Sequence, residues 1–407
     1  MSKRKPLEGV RVTDFTWIGA GSYTTKILAD AGADVIKIES SARIDSLRLG
    51  APYKDGIKGV NRSGYFADRN SSKRSITIDM KHPQALGLVQ RLIDKSDVIA
   101  NNFTPGVMDR FGLGYEAVRR MKPDIIYLSM SMQGATGPQS SYLGYGSSMA
   151  SVTGFQQLTG MPGREPAGTG TNYPDHVPNP CHAAFAVIAA LRHRRRTGEG
   201  QRIDFAQTEP MVTLLGPTIL DLTVNGHLQE ARGNDHDRAA PYGAFRCSGH
   251  DRWIAICVMN DGHWRSLCTV LGNPAWMAEP VWESESRRYV DRAVLSERLH
   301  LETAKWVAED LMHALQGAGV PAGVVETTED LIKRDPQLAH RGHWVPLDHA
   351  EMGRTLYNCP PYRFTNASVG LTRPAPLLGE HTREVCQDVL GMDSAEMDRL
   401  AGAGVFK

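Results

Sequence analysis

The chain comprises 407 residues, 41% of them hydrophobic and 22% charged, which is enough to bury the cores of two or three domains. Lys and Arg number 46 against 45 Asp and Glu, a formal charge of +1, so no overall field draws the protein to nucleic acid or to an anionic membrane. No run of about 18 apolar residues is present to span a bilayer, and the basic start Met1–Pro6 has no apolar signal core behind it. Six dispersed cysteines without a C-x-x-C pair read as free thiols, so the expectation is a cytoplasmic protein that engages neither nucleic acid nor membrane.

In chain order, Val10 to Phe15 predicts a strand, Trp17 to Ser22 a glycine-bearing turn, Tyr23 to Ala31 a helix and Asp34 to Glu39 a second strand. This is a β-α-β unit with a right-handed crossover. Pro83 to Lys95 is helical by pattern, and Asp97–Ala100 and Asp124–Met130 are short apolar strands. The alternation predicts an α/β, Rossmann-like large domain with a mostly parallel sheet. From Ser131 to Pro180 the sequence turns to Gly, Ser, Thr and Pro, which predicts a long functional segment without regular elements. A helix follows from about Cys181 to Arg196, its terminal arginines and Gly198 fitting a helix C-terminus. Ile203–Ala206 is a strand, Glu209 to about Val224 one helix, Trp253–Val258 a strand and Leu299–Ala318 another helix. The division expected is a large domain over 1–229, a smaller α+β domain over 230–335, and a return segment over 336–407 that completes the first.

Asp175 stands out within Thr171-Asn172-Tyr173-Pro174-Asp175-His176-Val177, ahead of a helix whose N-terminal field favours an anion. There it is expected to be ionised and exposed, as a nucleophile, or simply to orient the turn. Gly19-Ala20-Gly21-Ser22-Tyr23-Thr24, with Glu39 ending the next strand, resembles a dinucleotide fingerprint, but Thr24 replaces the third glycine. A helix N-terminus accepting phosphates is the weaker form of that reading. Asn70 to Lys81 carries Lys73, Arg74 and Lys81, either a phosphate cradle or a solvated strand edge. Asn101–Gly106 offers an amide, the Phe103 ring and a tight turn at a strand's carboxyl end, where α/β sheets bind ligands. Asp235-His236-Asp237 has no partner at ligand spacing, so no metal site is expected, and H-E-x-x-H, P-loop and G-x-S-x-G motifs are missing.

Taken in order, Pro6–Gly9, Leu28–Glu39, Asn70–Lys81, Asn102–Gly106, Tyr173–His176, Arg195–Gln201, Gly319–Gly323 and Pro374–His381 resemble the class III CoA-transferase family, typified by formyl-CoA and carnitine CoA-transferases, over nearly the whole chain. The resemblance implies two interlocked subunits, as a homodimer or with a paralogous partner, each with a large and a small domain. It implies transfer of CoA from an acyl-CoA, with succinyl-CoA a candidate donor, to a free acid. A dicarboxylic or aromatic acid such as benzylsuccinate is the candidate acceptor. Asp175 matches the family nucleophile, forming an anhydride and then an aspartyl-CoA thioester. Coenzyme A thioesters are substrates, and no permanently bound cofactor is implied. Trp17, Ala20, Ser40, Ile78, Lys81, Asn102, Phe103 and Arg110 match CoA-lining positions. Lys81 and Arg110 are the phosphate partners, and Ser40 stands where some relatives carry an arginine. Tyr145, His176 and Tyr242 fall at the substrate pocket, with Phe155 and Tyr173 adding aromatic surface. Ala239–Gly243 departs from the family's consecutive-glycine lid. Two alternatives stay open: an α-methylacyl-CoA racemase or isomerase of the same fold, although Tyr145 replaces the racemase histidine, and a non-catalytic partner subunit.

Overall fold

The computed structural model describes residues 3–407, which form two compact units. The first contains residues up to Leu158, Ala167–Gln229 and His340–Lys407, and the second Thr159–Pro166 and Glu230–Ala339. The short crossing at 159–166 has no signal in the sequence. It is tied down inside the second unit by the Gly233 N–H donating to the Gly160 carbonyl at 2.8 Å.

The first unit is built on a six-stranded, wholly parallel sheet in the order β3-β2-β1-β4-β5-β6, the doubly wound arrangement. Its strands are β1 (Arg11–Asp14), β2 (Asp34–Glu39), β3 (Arg74–Thr77), β4 (Val98–Asn101), β5 (Ile126–Ser131) and β6 (Gln201–Ala206). Period-2 alternation sends side chains to two separate cores. Val35, Val98, Ala100 and Leu128 enter one, with Ala183, Ala184 and Val187. Ile36, Ile38, Ile99 and Tyr127 enter the other, with Leu88, Leu92 and Leu400. The edge strand β3 is not solvated. His381 N–H donates to the Ser75 carbonyl at 2.9 Å, Thr382 Oγ1 accepts from Thr77 N–H, and Asp79 N–H donates to the Val405 carbonyl, so the C-terminal segment consumes the open edge.

Several elements differ from the expectations. The segment 131–180 contains helices Gly146–Val152 and Tyr173–His176. The helix expected from Cys181 starts at Pro178, because Pro178 and Pro180 lie in its first turn, where a missing N–H costs nothing. The helix expected over 209–224 is two, Glu209–Thr213 and Gly216–Asn225, with Pro217 starting the second. That expected over 299–318 is also two, Arg292–Thr303 and Ala308–Gly317, parted where the Trp306 carbonyl accepts from Ser248 N–H. These flank a three-stranded antiparallel sheet in the second unit, β7 (Tyr242–Arg246), β8 (Trp253–Cys257) and β9 (Ala322–Val324), over Phe245, Ile254, Ile256 and Leu311. Within the return segment, β10 (Trp344–His349) and β11 (Gly353–Asn358) pair as an antiparallel hairpin. Among the described residues, no helix is long and apolar enough to cross a membrane.

Candidate active site

Asp175 sits in the one-turn helix Tyr173–His176, directly before the Pro178–Thr197 helix, which packs its small residues Ala183, Ala184 and Val187 toward the Ala20–Asp30 helix side of the sheet. Its carboxylate is only 4% exposed and accepts hydrogen bonds from the backbone N–H groups of Ala20 and Gly146, each the first residue of a helix. The seat is shaped by two missing side chains. A Cβ on Gly19 would overlap the Asp175 carboxyl group, and one on Gly146 would lie 2.8 Å from Oδ2. Burial pushes the Asp175 pKa up to about 6, against the opposing pull of Arg69 and the two N–H donors. The expectation of an exposed carboxylate is therefore corrected: the glycine turn that reads as a nucleotide loop encloses the acid instead.

The turn itself is fixed from below. Asn102 clamps it, with Oδ1 accepting from Trp17 N–H at 2.8 Å and Nδ2 donating to the Trp17 carbonyl at 2.7 Å. Asp14, fully buried, accepts from Thr16 N–H and Oγ1, and Asp45 accepts from Ile18 N–H. Ile18 is held at φ 57°, a left-handed conformation that a β-branched side chain adopts only under tertiary constraint. A Cβ on Gly21 would stand 2.8 Å from Asn102 Cγ and Thr16 Cβ. Both glycines of the fingerprint-like run are thus explained by the carboxylate and the clamping amide, and the helix N-terminus is filled by Asp175 rather than left open for a phosphate.

The remaining predicted residues are scattered by this frame. Trp17 and Phe103 meet edge to face at 5.8 Å, with Phe103 also packed on the core. Arg43, not singled out by the sequence, lies exposed with its guanidinium 5.4 Å from the Trp17 ring. Ala20 is buried, and its N–H is the group that matters. Lys81 and Arg110 are exposed. Ser40 Oγ donates to the Lys407 carbonyl. Ile78 has its side chain in the core, so only its backbone is left to line a groove. Lys73 and Arg74 are corrected. Lys73 is buried against Asp14, Asn70 and the Ser22 carbonyl, and Arg74 pairs with Asp34 and Glu384, so neither is free for a phosphate. A cavity of about 240 Å³ opens beside Asn101, Thr104, Ser129 and Arg202, away from the carboxylate.

Around Asp175, Tyr145 is 61% exposed and ends where the Gly146–Val152 helix begins. Phe155 and Tyr173 stack at 5.8 Å with an interplanar angle of 10°. His176 Nε2 lies 2.6 Å from Arg69 Nη2, so the ring accepts from the guanidinium and is held neutral; burial first and then Arg69 push its pKa down. That occupies the lone pair a proton-abstracting base would use. Arg69 was not visible as a site residue, because nothing local in Asp68-Arg69-Asn70 announces its burial. Tyr242 belongs to the second unit, where its ring packs on His236 at 4.9 Å and Ala239 and Ala240 beside it are buried. Among the described residues, no group of three or more His, Cys, Asp or Glu is arranged to hold a metal ion.

Comparison with known proteins shows the family to which this chain belongs. Residues 7–382 match the model of CoA-transferase family III. The chain is 32% identical over 391 residues to a succinate–glutarate CoA-transferase of Agrobacterium fabrum, covering 95% of this chain and 96% of that protein. It is 30% identical over 410 residues to the human succinyl-CoA:glutarate CoA-transferase, covering 100% and 91%. The structure superposes on a CAIB/BAIF family protein from Brucella suis with a TM-score of 0.86 and 33% identity, over 94% of this chain and 99% of that one. The chain therefore belongs to CoA-transferase family III and is an enzyme that transfers coenzyme A from an acyl-CoA to a carboxylate.

Proposed function

We propose that the enzyme moves CoA from succinyl-CoA to a short dicarboxylic acid with Asp175 as nucleophile. The observation that carries this is the Asp175 seat, a single carboxylate enclosed by Gly19 and Gly146 with two N–H donors already aimed at it. A carboxylate oxygen attacks the thioester carbon, the C–S bond breaks, and CoA thiolate leaves an acyl-aspartyl anhydride. Thiolate then attacks the aspartyl carbonyl, releasing the donor acid and forming aspartyl-CoA. The acceptor carboxylate attacks that thioester, and the displaced thiolate takes the acceptor acyl group, restoring Asp175. The Ala20 and Gly146 N–H groups are placed to stabilise the oxyanion on the aspartyl carbon in the two middle steps. Water must be kept out of both anhydrides, which the burial of Asp175 favours.

Trp17, Arg43, Phe103, Lys81 and Arg110 are assigned to CoA, with the exposed cations on its phosphates. Tyr145 and the Phe155–Tyr173 stack are assigned to the acyl and acid groups. The dicarboxylate is favoured over benzylsuccinate by the similarity to a succinate–glutarate CoA-transferase and to a succinyl-CoA:glutarate CoA-transferase. A second copy of the chain, interlocked with the first, is part of the proposal. The Gly216–Asn225 helix buries none of its residues, and Val224 at 75% and Phe185 at 74% exposure are too apolar to stand in water. Six cysteines without disulfides support a cytosolic setting.

The test is mass spectrometry of the enzyme mixed with succinyl-CoA and trapped with hydroxylamine or borohydride, followed by a panel of glutarate, mesaconate and benzylsuccinate. Modification confined to the Asp175 peptide, with turnover on the short diacids, is expected. Proton exchange at the acyl α-carbon without any modification would replace this reading with the racemase. Sedimentation as a monomer would remove the second copy.

A further inference from the structure

We infer that Arg69 is a positioning residue for the nucleophile: a fixed, buried cation, oriented by His176 and Tyr65, that keeps the Asp175 carboxylate ionised without binding it. The inference rests on Asp175 being the nucleophile. Arg69 is 1% exposed, and its Nε has no hydrogen-bond partner. The carboxylate it pairs with, Asp68 at 3.2 Å, is partly in solvent. A buried guanidinium with an unmade hydrogen bond is a net cost to folding, and an apolar side chain would fill the same space more cheaply. Something other than stability explains its presence.

What surrounds it is the nucleophile's own support. The Arg69 guanidinium lies 4.1 Å over the Tyr65 ring, and Tyr65 OH accepts from Asn172 Nδ2 at 3.1 Å. Asn172 caps the turn that carries Asp175, its carbonyl accepting the Asp175 N–H at 2.9 Å. Nη2 is spent on His176 Nε2 at 2.6 Å, the residue next to Asp175 in sequence. Among the described residues no ion pair within 4.0 Å joins Arg69 to Asp175. That separation matters chemically. A bidentate pair would occupy both carboxylate oxygens and blunt their attack, whereas a cation held a short distance away stabilises the anion and leaves its lone pairs free. His176 is the restraint that stops the fork from closing.

The other ionisable groups nearby are engaged elsewhere. Asp68 and Tyr65 share the Arg69 helix. Lys26 on the Ala20–Asp30 helix is paired with Asp30 at 2.6 Å, and Tyr23 packs edge-on against His176. His182 bonds the Pro178 carbonyl, and Tyr145 is exposed. Arg69 is the one charge that pulls the Asp175 carboxyl downward against its burial.

The test is the rate at which succinyl-CoA labels the Asp175 peptide between pH 5 and 9, in the full-length wild type, R69M, R69K and H176L. The wild type should show an acid limb near pH 6. In R69M the limb should rise by about one pH unit or more, with labelling about fivefold slower at pH 6 and equal to wild type by about pH 8.5. R69K should restore the limb. H176L, which frees the fork to close on Asp175, should lower the limb and slow labelling at every pH, and it decides the matter if R69M does not fold. An R69M enzyme slowed equally at every pH, or an H176L enzyme with an unmoved profile, overturns the inference. Wild-type enzyme that labels nowhere would instead remove Asp175 as nucleophile, a failure recognisable before any variant is compared.

Discussion

Replacing Asp175 with asparagine should stabilise the protein near neutral pH while abolishing its chemistry. A carboxyl whose pKa is about 6 in the folded state, against about 3.9 in an unfolded chain, binds its proton more tightly when folded. Sign and window follow from that difference. Below about pH 4 the acid is protonated in both states and costs nothing. As pH rises from about 4 to 6, the unfolded state gains by ionising first, and above about pH 6 the full penalty applies. Two units correspond to about 3 kcal/mol at most. Asparagine removes the charge but turns an NH2 toward one of the two donors, Ala20 or Gly146 N–H, which costs about 1 kcal/mol. The net gain near pH 7.5 is about 1 to 2 kcal/mol, or about 1 to 2 °C in melting temperature for a chain of this length. Thermal melts of both proteins from pH 4 to 8 should show that difference shrinking to zero near about pH 4.5. A variant less stable than wild type by the same amount at every pH would refute the reasoning, because the burial of Asp175 would then carry no electrostatic cost.

Gly19→Ala tests the seat by placing a Cβ against the Asp175 carboxyl group. The methyl group must displace the Asp175 carboxylate, so transferase activity should fall at least about 100-fold with the fold retained, read by steady-state rates and circular dichroism. Lys81→Ala and Arg110→Ala should each weaken CoA binding by about 1 to 3 kcal/mol by calorimetry if they meet phosphates. Ile78→Val, by contrast, should cost about 1 kcal/mol of stability and leave CoA affinity unchanged, because its side chain is in the core. A shift in affinity there would restore the Ile78 side chain to the binding surface.

Much of the frame is legible in the residues. Asp34–Glu39 is predicted and found with the same bounds, and Val98–Asn101, Ile126–Ser131 and Ala85–Asp94 fall within a few residues of expectation, because an apolar period of 2 or 3.6 depends only on neighbours along the chain. The order of short motifs also sufficed to place the chain in its family. What the chain could not reveal is which groups lose their water. Lys73 and Arg74 look like free cations in a polar run, yet their partners Asp14 and Glu384 are far away in sequence. Arg69 has the chemistry of a surface residue, yet it is buried against His176, the residue after Asp175. Asp175 itself looked exposed by virtue of its loop, but Gly19 and Gly146, over 150 and nearly 30 residues before it, close over the carboxylate. Charge state and reactivity follow from desolvation and from hydrogen bonds made across such distances. Sequence determined most of the parallel strands and singled out Asp175, and only the packing of remote glycines, donors and a buried cation decided how that carboxylate is held.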